Sequence, residues 1–160
     1  MPAPQPPITI GPVTVRFTWM GDRWSHEVSV GEGHVWRSVE GPRTDDGDDR
    51  WPASPVLVEL SPTQTASGPA ILGVGRAGRS HFSASIGADP TRPGHVRFEI
   101  ACRVAEPPVW LGSTYHAAGG RLVVEPSDRP GNLPATIEWS YAFGAAGLVA
   151  CDRPRNWSDS

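Results

Sequence analysis

The sequence predicts an all-β, single-domain protein: an antiparallel β-sandwich or β-barrel of about nine short strands, with little or no helix. Three observations predict it. Apolar and polar residues alternate with a period of two in segment after segment. Gly and Pro, 18 of each, fall between those segments as turn signals. No stretch keeps a 3.6-residue rhythm for three turns. A chain of 160 residues has the length of one domain that can bury a core without staples. Residues 1–160 are therefore read as one β domain, with 1–7 and 152–160 as loose termini.

The proline-rich start gives way to the clearest local signal, "VTVRFTWMGDRWSHEVSV". Val13, Val15, Phe17 and Trp19 alternate with polar residues, and Trp24, Val28 and Val30 do the same, with His26 at the intervening position. Gly21-Asp22 between them suits a two-residue turn with glycine first. That turn fixes a register in which Trp19 faces Trp24, Val15 faces Val28 and Val13 faces Val30. Arg16 then meets Glu27 on the other face, and Thr14 and Thr18 meet Ser29 and Ser25.

A third strand is expected over 34–40, a polar loop over 41–55, and strands over 56–60, 70–75 and 80–86. "GADPTRPG" turns the chain into a strand over 95–104, where Val96, Phe98, Ile100, Cys102 and Val104 share one face. The segment 105–120 reads as irregular, with one or two helical turns at most over Trp110–Ala118. Strands over 122–125 and 136–143 follow, the latter with Ile137, Trp139, Tyr141 and Phe143 on one face.

Composition excludes several functions. All 14 basic residues are arginine, so Schiff-base chemistry, a P-loop lysine and a Ser–Lys dyad are impossible. The net charge of −3 with no basic run argues against a nucleic-acid partner. No apolar stretch of signal or membrane-span length is present, so a cytoplasmic location with reduced thiols is expected, and no membrane partner. In that setting the Asn156-Trp157-Ser158 sequon carries no meaning. Cys102 and Cys151 lack close metal spacing, and whether they pair is left open.

"GVGRAG" at 73–78 formally matches a phosphate-cradling glycine pattern. A dinucleotide site needs a helix after the glycines, because the helix N-terminus supplies the amide donors. "RSHFSASI" follows instead and alternates like a strand, so the glycines read as a hairpin. A four-residue loop over 76–79 would set Gly75 opposite Ser80 and Gly73 opposite Phe82, with Gly78 supplying a positive φ. The acidic run 45–49 fails as a calcium loop. With Gly47 at the required glycine, Pro42 and Thr44 stand where carboxylates belong and Ala53 where a bidentate glutamate belongs. Ser80-His81 cannot act as a nucleophile–base pair, since neighbours on a strand point to opposite faces.

Two sets of residues remain as candidate sites. Trp110, Tyr115 and His116, with Trp51, form an aromatic set on loops, where large rings need an apolar surface or a ligand. His81, His95 and His116 would make a metal site if the fold brought them together. His81 and His95 flank one predicted hairpin. The leading expectation is a non-catalytic β domain that binds a small molecule or protein partner through aromatic loops, with no cofactor. The alternatives are a histidine-centred or metal-assisted enzyme and a carbohydrate-binding module.

Overall fold

The computed structural model describes residues 1–44, 47–127 and 130–151. These form twelve strands and no helix: β1 (Ile8–Ile10), β2 (Val13–Trp19), β3 (Trp24–Val30), β4 (His34–Ser38), β5 (Glu59–Thr65), β6 (Gly68–Ala77), β7 (Ser80–Ala88), β8 (Val96–Val104), β9 (Ser113–Ala117), β10 (Gly120–Val124), β11 (Ala135–Gly144) and β12 (Gly147–Cys151). One six-stranded sheet runs β1-β2-β3-β4-β9-β10 and the other β12-β11-β8-β7-β6-β5. Every pairing is antiparallel. The two sheets pack as a sandwich, and each keeps its two edges, so the barrel is ruled out. No helix among the described residues is long and apolar enough to cross a membrane.

The β2–β3 hairpin has the register that Gly21-Asp22 dictates, from Trp19↔Trp24 to Val13↔Val30. Gly21 takes the positive φ of the turn, and the Met20 amide donates to the Arg23 carbonyl at 2.7 Å. Both faces agree, so slipping by one residue would expose every valine at once.

The described residues hold three more strands than the nine expected. β1 is only three residues long. β9 occupies the segment read as irregular or briefly helical; Ser113–Ala117 is strand because it has β4 on one side and β10 on the other. β12 closes a hairpin whose pattern, GLVAC, is too short to declare itself. Several boundaries also move. The third expected strand stops at Ser38, and the strand expected over 56–60 is displaced into β5. Val56 and Leu57 instead cross between the sheets as a buried strap: the Trp24 amide donates to the Leu57 carbonyl and the Val58 amide to the Val74 carbonyl, both at 2.8 Å.

That strap explains the glycines at 73–78. The turn is a tight two-residue one, Gly78-Arg79, with Ala77↔Ser80, Gly75↔Phe82 and Gly73↔Ala84 as pairs, not the four-residue loop expected. Arg76 then faces His81. Gly78 does take the positive φ. At Gly75 a Cβ would run into the backbone carbonyl of Val56, so only glycine lets the strap lie against β6. β-structure continues on both sides of these residues, and no helix follows them.

Between the sheets lies an aromatic core. Phe98 stacks on Tyr141 with centroids 5.0 Å apart and planes 8° off parallel, while Phe143 meets Phe98, Tyr115 and Trp36 edge-on or tilted. Offset and edge-on pairs of this kind add about 0.5–1.5 kcal/mol each beyond their buried area. Asp45, Asp46 and the tail 152–160, which carries Trp157 and the sequon, lie outside the described residues.

Candidate functional site

Register builds a trough on the outer face of the second sheet. Pairing across β11, β8, β7 and β6 aligns Glu138, Ala101, Ser83 and Val74 in one row. The next row aligns Ser140, Glu99, Ser85 and Leu72. All eight side chains point away from the core, because their neighbours along each strand are the buried ones. Ser83, Ser85 and Ala101 keep the middle strands low beside Glu99.

Leu72 and Val74 form one bank, 45% and 49% exposed, which is high for side chains of that size. The other bank is Cys151 of β12 together with Val124, Glu125 and Ser127. The trough encloses about 460 Å³, within the range of small-molecule sites. Among the described residues its charge is mostly negative: Glu99, Glu125 and Glu138 line it against one cation, Arg97, which sits 3.0 Å from Glu99 and 4.0 Å from Asp89. Glu138 has no ion-pair partner among the described residues.

A second cluster is buried between the sheets. His26 Nε2 is 2.7 Å from the Tyr115 hydroxyl, which is 2.7 Å from the Tyr141 hydroxyl. The Trp139 indole N–H donates to Ser113 Oγ at 2.9 Å, and the His26 amide donates to Ser38 Oγ at 2.9 Å. Glu40 lies at the margin of this chain with its Oε1 out of solvent and unpartnered. Burial pushes its carboxyl up to about 7, with the Ser38 hydroxyl and Arg23 acting against the shift. Burial also drives His26 down to about 4, and both tyrosines well above their ordinary range. His26, Tyr115 and Tyr141 therefore stay neutral at neutral pH and knit the two sheets together as hydrogen-bonding partners.

The aromatic residues singled out in the sequence occupy different environments. Trp51 and Tyr115 are core residues, Trp51 under the loop 41–57 and Tyr115 on the inner face of β9. Trp110 is half-buried beneath the Arg43 guanidinium, 5.3 Å from its ring centroid. His116 is exposed on the outer face of the first sheet, opposite Arg37. Alternation on β9 separates Tyr115 from His116, a separation that an irregular segment would not impose.

The three histidines do not converge. His81 pairs with Arg103 at one end of the β7–β8 hairpin, and His95 precedes β8 at the other. Eight residues of strand put them on the order of 25 Å apart. His116 belongs to the other sheet, and no group of three or more possible metal ligands forms among the described residues. His81 instead stands in a basic row with Arg76 and Arg103, one step beyond the trough.

Sequence reasoning missed the trough, although its parts were legible as small polar residues at outward positions. What it lacked was the strand order that sets them side by side. No protein-family model matches the chain, and searches of curated proteins and of solved structures found no match to it.

Proposed function

We propose that this chain is a non-catalytic binding domain and that the trough on its second sheet takes a small amphipathic molecule carrying a positive charge. The observation that carries this reading is the trough's make-up: an exposed Leu72–Val74 bank beside a floor of serines and alanine, with Glu99 and Glu138 on the floor. An apolar bank contributes contact area, and carboxylates on a sheet face select a cation over an anion. The buried His26–Tyr115–Tyr141 chain lies on the opposite side of the sheet, among core side chains, and lends the trough no group.

The test is thermal stabilisation by a series of alkyl and aryl amines, each matched with its uncharged alcohol and its carboxylate. Amines are expected to raise the melting temperature and carboxylates to leave it unchanged. The double substitution Glu99→Gln, Glu138→Gln is expected to abolish the amine response while preserving the fold. An equal response to all three headgroups, or an amine response that survives the double substitution, overturns the proposal.

A further inference from the structure

β10 is an edge strand whose one neighbour in the sheet is β9. The hairpin joining them closes at Ala117↔Gly120 across a two-residue turn. In such a hairpin the closing pair is hydrogen-bonded, and bonded pairs then alternate along the ladder. The amides and carbonyls of Gly120, Leu122 and Val124 therefore face β9 and those of Arg121 and Val123 face outward, and the same alternation carried one residue past the strand would turn Glu125 outward as well. No described turn or loop bond reaches the outward set.

Unpaired edges invite another strand, and the remaining edges here are poor templates. β1 is three residues long between Pro7 and Pro12, β5 carries Pro62 at its middle, and β12 has no charge to fix a register. β10 has neither proline nor shortness to protect it. Leu122 is on the inner side, paired with Tyr115, yet it is 36% exposed, and Val123 on the outer side is 46% exposed.

Outward from Val123 the sequence is chemically symmetric, with Leu122 and Val124 on either side and then Arg121 and Glu125, opposite in charge. We propose that β10 is a self-association edge, pairing antiparallel with β10 of a second copy about a two-fold axis at Val123. Arg121 then lies opposite Glu125 of the second copy, and Glu125 opposite its Arg121. Leu122 meets Val124 across the inner side, and the two valines at position 123 meet on the outer. The outward backbone groups are the ones this register needs, giving roughly six new hydrogen bonds. Faces, charges and backbone polarity all select the same register, and the contact is closed by its own symmetry.

Sedimentation or light scattering of the full chain, raised toward about 1 mM so that weak association registers, tests it. The expected result is a species of twice the 17.1 kDa chain mass. Arg121→Glu sets two carboxylates against each other in each of the two equivalent pairs and is expected to weaken dimerisation tenfold or more. Arg121→Glu with Glu125→Arg is expected to restore it. Val123→Pro removes an outward amide that β9 does not use, so it is expected to give a folded monomer. A monomer at every concentration overturns the proposal. So does a dimer indifferent to Val123→Pro, or a charge swap that fails to rescue.

Discussion

Replacing Glu40 by glutamine is expected to change the shape of the pH–stability curve. Glu40 titrates near 7 in the folded protein and near 4.5 when unfolded, because burial outweighs the help of Ser38 and Arg23. Between those values the folded state holds a proton that the unfolded state has lost. Stability therefore falls as pH rises, on the order of 1.4 kcal/mol per pH unit. His26 has the opposite sign. Its folded value near 4 lies below its ordinary 6.5, so the unfolded state protonates first as pH drops. Its contribution is present above about 6.5 and is lost as pH falls toward 4, at a similar slope. Over the shared window, pH 4.5–6.5, the two slopes cancel in the native protein. Glu40→Gln removes one of them and leaves His26 unopposed. Urea midpoints measured at half-unit steps from pH 4 to 8 should then diverge, the variant's stability gaining by about 2–3 kcal/mol relative to the native protein between pH 4.5 and 7. Groups common to both proteins drop out of that difference. Parallel curves across the window would falsify the reasoning and place the Glu40 carboxyl in an environment no different from water.

Two further outcomes follow from packing. Gly75→Ala forces a methyl into the Val56 carbonyl oxygen and is expected to cost about 2–3 kcal/mol, read as a melting temperature lower by about 5–10 °C. Gly131→Ala, where a Cβ would meet nothing within 4 Å, is expected to be close to neutral in the same assay. A thiol count with an aromatic disulfide reagent at pH 8 should find one reactive group in the native protein and two in denaturant. Cys102 is buried at the inner face of β8, with burial pushing its thiol up to about 12, whereas Cys151 is partly exposed beside Arg92. Two fast thiols in the native state would contradict the core position of Cys102.

Much of the fold was legible residue by residue. The β2–β3 hairpin could be registered from Gly21-Asp22 alone, because a two-residue turn and a period of two leave a single consistent pairing. The inward faces of β8 and β11 were equally plain in Val96–Val104 and Ile137–Phe143. The site was far less legible. Tyr115 in the sequence sits among glycines and small residues and reads as a loop aromatic; it is buried because β4, β10 and β11 close around it. Ser83, Ser85 and Ala101 carry no signal individually and become a trough floor only when β7 and β8 lie side by side.

The sequence by itself determined that the molecule is made of antiparallel ribbons, where its tightest turns fall, and that lysine chemistry is closed to it. Those properties depend on residues within a few positions of one another. The tertiary structure alone decided that Gly75 must admit the Val56 strap, that His26 would reach Tyr115, that His81 and His95 would end at opposite ends of a hairpin, and that β10 would be left as an open edge. Each of these depends on which distant strands become neighbours, and that is set by burying one apolar face against another, a global condition that no local pattern encodes.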